Sequence, residues 1–267
     1  TILGSFAGDS LTDADYNVAV GLGALGSDTL GSTSVAVGYS ALSAQNFTSA
    51  TNTYNTAVGY ASGQAITTGN SNTFIGGLAG DSNTTGIYGT AVGRDALGAN
   101  TTGNYNVALG GDALKSNTTA SDNTAVGTAS MFTNTTGTRN VAVGMQSLRV
   151  NTTGQRHTAV GWSALIANTT GSFNTALGDI ALYLNTTGAA NVAVGTACME
   201  NNTTGDDNTA IGTNALKANT TASLNTAIGN SAGSAITTGT HNVLVGSYAG
   251  AGGVGNLITG LRNILIG

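Results

Sequence analysis

The amino-acid sequence predicts an all-β chain, a parallel β-solenoid (β-roll) of 17-residue coils. Three observations carry that prediction. A five-residue segment, Asn-(Thr/Val)-Ala-(Val/Ile/Leu)-Gly, recurs along all 267 residues at nearly constant spacing. The composition is skewed, with 41 glycines, no proline and 7% charged residues, where an ordinary soluble domain carries about 25% charged residues and about 5% proline. The unit is also too short for two packed helices, and its Thr, Val, Asn and Gly content disfavours helix. It suits one coil of two short strands and two turns, each coil pairing with the next.

The register follows from the glycine that closes the segment. It stands at Gly4, Gly21, Gly38, Gly59, Gly76 and onward to Gly246 and Gly267, giving 13 intervals of 17 residues and two of 21. The expected organisation is a single repeat array over residues 1–267, about 15 coils with longer coils at 38–59 and 246–267. Four extra residues at one corner are the usual way for a solenoid to vary. The opening Thr1-Ile2-Leu3-Gly4 carries no initiator Met or signal peptide, so the chain is expected to be an excerpt of a longer fibre. Numbering each repeat from its Asn as 1 places the glycine at 5. Coils stacked about 4.8 Å apart predict a rod on the order of 70 Å long.

Charge and volume assign the faces. Of 19 charged residues, 17 fall at repeat positions 6, 7, 10, 16 or 17, with Asp13 and Asp28 as exceptions. Those five positions are expected to face solvent, because unpaired charges are rarely buried. Positions 1 to 5, 8 and 9 carry no charge and are expected to line buried surface. Where position 3 is large, position 9 is glycine, as in Ile2 with Gly8, Phe74 with Gly80 and Leu244 with Gly250. In two further coils Gly63 and Gly233 at position 9 go with Ile66 and Ile236 at position 12. A coil interior of fixed volume requires such trade-offs, so positions 3, 9 and 12 are expected to share one interior.

Position 4 is always aliphatic. It runs through Val20, Val37, Val58, Ile75, Val92, Leu109, Val126, Val143, Val160, Leu177, Val194, Ile211, Ile228 and Val245. Strand residues alternate faces, so positions 3 and 4 point to opposite sides, and a strand apolar on both sides calls for a second covering layer. Nothing else in the 17-residue unit supplies one. The stripe is therefore expected to be a core or oligomer surface, with another copy of the chain as the missing layer.

Repeats such as Asn-Thr-Ala-Val-Gly followed by Ala-Leu and Asn-Thr-Thr-Gly resemble those of phage tail fibres. They are also similar to the head domains of trimeric bacterial autotransporter adhesins, with their Asn-x-Ala-Ile/Val-Gly coils. The resemblance covers essentially the whole chain. It implies a homotrimer of β-rolls, intertwined or side by side, with no enzymatic activity and no cofactor. It places the chain outside the cell, in a virion tail fibre or on a bacterial surface. Adhesin coils are usually shorter than 17 residues, which favours the fibre. The function expected is a structural shaft or receptor-binding segment that mediates host attachment through a host-surface glycan or protein receptor. A bacterial adhesin or extracellular filament is the alternative, and an ice-binding solenoid a remote one, since the adjacent Thr residues of Asn-Thr-Thr would face opposite sides.

Other signals reduce to the repeat. Gly21-Leu22-Gly23-Ala24-Leu25-Gly26 matches GxGxxG, but a dinucleotide loop must open a long helix. Nine consecutive Asn-Thr-Thr sequons, from Asn83 to Asn219, stand too close for nine glycans and read as turns with stacked Asn amides. Cys198, His157 and His241 lack the recurrent partners that nucleophilic or metal chemistry needs. Gly252-Gly253-Val254-Gly255-Asn256 is similar to a calcium β-roll loop but lacks its Asp. A net charge of −5 without a basic cluster argues against nucleic acid as a partner. No apolar run approaches the ~20 residues needed to insert into a membrane. Exposed aromatics are the remaining candidates: Tyr39, Tyr60 and Trp162 at position 6, and Tyr88, Tyr105 and Phe173 at position 17. Such rings are expected either to contact a receptor glycan or to pack over neighbouring turns.

Overall fold

The computed structural model describes residues 1–251 and 259–267. The chain forms two compact units, Thr1–Thr136 and Gly137–Gly267, both built from the same coil. The first holds β1 (Ile2–Leu3), β2 (Val18–Val20), β3 (Gly31–Ser32), β4 (Val35–Val37), β5 (Thr51–Asn52), β6 (Thr56–Val58), β7 (Thr73–Ile75), β8 (Thr90–Val92), β9 (Val107–Leu109) and β10 (Thr124–Val126). The second holds β11 (Val141–Val143), β12 (Thr158–Val160), β13 (Thr175–Leu177), β14 (Val192–Val194), β15 (Thr209–Ile211), β16 (Thr226–Ile228), β17 (Val243–Val245) and β18 (Ile264–Ile266). No helix occurs among the described residues. The fold is a parallel β-solenoid of about 15 turns.

Each coil contributes one short strand, three residues at positions 2 to 4 in all but β1, to a parallel ladder whose register equals the sequence repeat. Ala159 pairs with Ala176, Ala193 with Ala210, and Thr56 with Thr73. The second strand expected in every coil is replaced by turns. Only β3 and β5 form a second, two-stranded ladder, on the 21-residue coil at 38–59 and its neighbour. Away from the strands, the coils still bond to one another through the backbone. Leu97 N–H donates to Ala113 O at 2.9 Å, and Thr101 N–H donates to Thr118 O at 2.8 Å.

Three turn positions adopt left-handed backbone in every coil, although few of them are glycine. In one coil they are Asp95 (φ 56°), Leu97 (φ 56°) and Tyr105 (φ 56°), at positions 7, 9 and 17. Left-handed conformation costs an L-residue about 1–2 kcal/mol. The compensation is directional, because the turned N–H groups point along the stack. Asp95 N–H reaches Gly77 O at 3.1 Å and Tyr105 N–H reaches Ile87 O at 3.0 Å. The position-5 glycine has a firmer reason for its identity. Gly161 has φ +135°, and a Cβ there would lie 2.3 Å from Gly178 O.

The interior is narrow and lined by small residues. Position 3 points inward and, between the two end strands, is wholly buried, mostly as Ala, with Ala at 8 and Leu or Met at 9. The volume trade-off is visible atom by atom: a Cβ on Gly80 would meet the Phe74 ring at 2.5 Å, and one on Gly8 would meet Ile2 Cδ1 at 2.8 Å. Gly63 likewise faces Leu42, Phe74 and Ile66, and Gly233 faces Leu216, Leu244 and Ile236. One expectation from charge needs correction. Positions 2, 4 and 5 are only partly covered in most coils, because the strand has interior on one side alone. Asp28 is wholly buried, as expected of position 12, which shares the coil interior.

Two asparagine columns satisfy the buried backbone. At position 12, Asn100 Nδ2 donates to Asn83 Oδ1 at 2.7 Å and to Gly103 O at 3.0 Å. The same pattern repeats at Asn117, and in the second unit from Asn168 to Asn219. At position 1, Asn191 Nδ2 donates to Gly205 O at 2.7 Å while its Oδ1 accepts from Asn208 N–H at 3.0 Å. Each amide is thus used to link coils and close them. The column ends where Ile236 takes position 12, leaving Asn219 Oδ1 buried without a hydrogen-bond partner. Asp28 occupies this column too, accepting from Gln45 Nε2 at 2.6 Å, Gly31 N–H at 3.2 Å and Phe47 N–H at 3.1 Å.

Candidate functional site

The isolated reactive side chains are structural. Cys198 is buried, donates to Ala210 O at 3.2 Å, and burial pushes its thiol up to about 12. A thiol so poor in thiolate is not a nucleophile near neutral pH. His157 takes the place of Asn at position 1 and copies its bonding. Its Nε2 lies 2.7 Å from Gly171 O, and its Nδ1 accepts from Asn174 N–H at 3.2 Å. Burial brings its pKa down to about 4, so the ring is a neutral amide substitute. His241 is exposed at a turn beside Thr240. No group of three or more His, Cys, Asp or Glu that could hold a metal is found among the described residues. Gly21 closes β2 with φ +128° and is followed by turns. The nine sequon asparagines are buried with their amide nitrogens engaged, which leaves no accessible nitrogen for a glycan in the folded chain. The segment Gly252-Gly253-Val254-Gly255-Asn256 lies outside the described residues.

The outer face of the sheet is the most regular surface. Position 4 projects outward from the strands of the long ladder, next to Val, Thr or Ile at position 2. Ile75, Val92, Val160, Ile211 and Ile228 are 37–40% exposed; Val20, Val37, Val58, Leu109, Val126, Val143, Leu177, Val194 and Val245 are half-buried. Within each unit, successive strands therefore present an uncharged stripe of aliphatic and Thr side chains.

The six aromatic candidates are all exposed. Four of them form two pairs: Tyr39 stacks on Tyr60 and Tyr88 on Tyr105, each with ring centroids 5.2 Å apart and planes within 9°. Stacking fixes one face of each ring against its neighbour along the coil direction and leaves the edges and hydroxyls in water. The pairs lie at opposite ends of the strand, since position 6 follows its glycine and position 17 precedes its asparagine. Phe173 lies under the Arg156 guanidinium at 5.3 Å.

Trp162 has a different setting. It borders a cleft of about 270 Å³ lined also by Ile180, Tyr183 and Glu200. Three successive coils build it, at positions 6, 7, 10 and 10. They are held in register by Ile180 N–H donating to Trp162 O at 3.0 Å and Leu184 N–H donating to Glu200 O at 2.9 Å. Glu200 Oε2 is buried 3.1 Å from Lys217 Nζ, an ion pair without an aligned hydrogen bond. The aromatic candidate was legible in the sequence. Its three companions were not, because spacing reveals which residues stack but not which columns face each other across a corner.

A larger cleft, about 490 Å³, lies over Gly98, where the position-10 row lacks a side chain between Asp81 and Lys115. Four charges at and beside it pair with one another. Lys115 Nζ lies 2.9 Å from Asp112 and 3.4 Å from Asp95, and Arg94 bridges Asp95 and Asp112. The hydrogen bond to Asp112 raises the Lys115 pKa, and burial beside Asp95 raises that of Asp81. Arg94, Asp95, Asp112 and Lys115 thus form one ion-pair network.

No family model matches the chain, and neither a curated protein nor a solved structure matches it. The description of the chain therefore rests on its own geometry: a parallel β-solenoid of β-roll repeats.

Proposed function

We propose that this chain is a structural, non-enzymatic fibre segment of the phage tail-fibre type, acting outside the cell as a homotrimer in host attachment. The observation that carries the reading is the outward stripe at positions 2 and 4. A long row of half-exposed aliphatic side chains is a liability on a solitary chain and a natural seam between copies. Covering each position-4 side chain would contribute about 1 kcal/mol per coil, since roughly half of its apolar area is still in water. The coil-to-coil hydrogen bonds and the amide columns supply stiffness, and the turns at either end of the strand carry the exposed aromatics through which a receptor is met.

Sedimentation equilibrium tests the assembly. The 26.1 kDa chain is expected to sediment with about three times its monomer mass, and Val143→Asp to shift it towards monomer. A native chain of monomer mass across the micromolar range would overturn the trimer. Attachment is tested by incubating the purified chain with intact cells of a bacterial strain panel; retention on none of them would remove the attachment role.

A further inference from the structure

We infer that the cleft bounded by Trp162, Ile180, Tyr183 and Glu200 is a binding site for one neutral hexopyranoside unit. The inference rests on the attachment reading above and names its ligand class. The cleft volume, about 270 Å³, is at the low end for small-ligand sites, which span about 300–1,000 Å³, so it takes a single ring and not a peptide segment. Its walls divide by chemistry. Trp162 lines the cleft, is 48% exposed and belongs to neither tyrosine stack, so its indole is open to a ligand there. Ile180 and Tyr183 continue the apolar wall, and the Tyr hydroxyl adds a donor and acceptor. A sugar ring matches this division, with C–H groups on its faces and hydroxyls around its rim.

Glu200 selects among ligands. A carboxylate only accepts hydrogen bonds and has room for several, while the neighbouring Lys217 occupies one side of it. Ligand hydroxyls are suitable donors, and bonds to a charged acceptor are the stronger kind. An ammonium ligand, which an aromatic site with a carboxylate could also attract, would meet a Glu200 already paired with Lys217. An acidic sugar would be placed near two carboxylates, since Asp179 follows Trp162 in the position-6 row. A neutral sugar remains.

The chain has a single Trp beside eight Tyr, so emission excited selectively at the indole reports on this cleft alone. Titration of the full chain with methyl glucoside, methyl galactoside, methyl mannoside and N-acetylglucosamine is expected to give a saturable change in Trp162 emission with at least one, in the millimolar range. Glucuronate and choline are expected to give none. Glu200→Gln should weaken the response about tenfold, the loss of a charge-assisted bond, and Tyr183→Ala should also weaken it, with the far-ultraviolet circular dichroism unchanged. Saturation by choline or glucuronate instead of a neutral sugar would overturn the proposal, as would a sugar response that both variants leave intact. If the chain is retained on bacterial cells while no neutral sugar changes Trp162 emission, the cleft assignment fails and the attachment reading stands. If neither occurs, both fall.

Discussion

At the scale of single residues, identity is dictated by what stacks against the next coil. Gly161 illustrates the strictest case, with its φ of +135° and its would-be Cβ 2.3 Å from a carbonyl oxygen. Gly161→Ala is expected to cost more than about 4 kcal/mol, at the exceptional end of single substitutions, read as a lowered denaturation midpoint. His157 shows how one position tolerates chemistry that preserves its hydrogen bonds. Its pKa falls from 6.5 to about 4 on folding, so between those values the unfolded chain binds the proton that the folded chain refuses. Stability from the neutral ring is full above pH 6.5 and is lost as pH falls towards 4, by up to about 3 kcal/mol. His157→Asn restores the column residue and is expected to remove that part of the acid sensitivity. Parallel denaturation curves at pH 7 and pH 4.5 for both proteins check it; equal pH dependence would show the histidine to be uninvolved.

At the scale of the element, one coil is a fixed volume closed by left-handed turns. The exchange between positions 3 and 9 was readable from the pairing of Phe74 with Gly80, and the ring contact explains it. Phe74→Ala is expected to cost about 3–5 kcal/mol as a core cavity. Adding Gly80→Leu, the combination that neighbouring coils use, should recover much of the loss in chemical denaturation. A double variant no more stable than Phe74→Ala would refute shared volume. The left-handed turns were not readable. Sequence signals for such backbone are Gly, Asn and Asp, whereas positions 7, 9 and 17 hold Leu, Tyr, Arg and Gln as well. They are selected by the direction of their N–H groups, a property of the stack. Gln146, at position 7 with φ 60°, gives a test: Gln146→Gly is expected to raise stability by up to about 1 kcal/mol, strain relief less glycine's entropy, measured as a higher thermal midpoint.

At the scale of the whole molecule, low charge and an outward aliphatic stripe belong together. With 7% charged residues and, among the described residues, ion pairs at position-6, -7 and -10 turns, the assembly proposed through positions 2 and 4 would bury an uncharged seam. The oligomer mass is therefore expected to be unchanged between low salt and 1 M salt, where the Debye length shrinks to about 3 Å. Dissociation at high salt would point to a charged seam elsewhere.

The repeat by itself determined the period, the register of the parallel sheet, the glycine at position 5 and the sharing of volume between positions 3 and 9. These are properties of a column of like residues, and a column is written directly in a 17-residue spacing. Only the tertiary structure decided how much of the strand's outer face stays in water, which carbonyls the Asn amides at positions 1 and 12 bond, and that Asp28 is enclosed among Gln45, Gly31 and Phe47. It also decided that Trp162 shares a cleft with Ile180, Tyr183 and Glu200 while the tyrosines pair with each other. The physical reason is that spacing along the chain specifies neighbours along the stack. Neighbours across the coil depend on how sharply the backbone turns at each corner, and those turns are made by residues whose identities do not announce them.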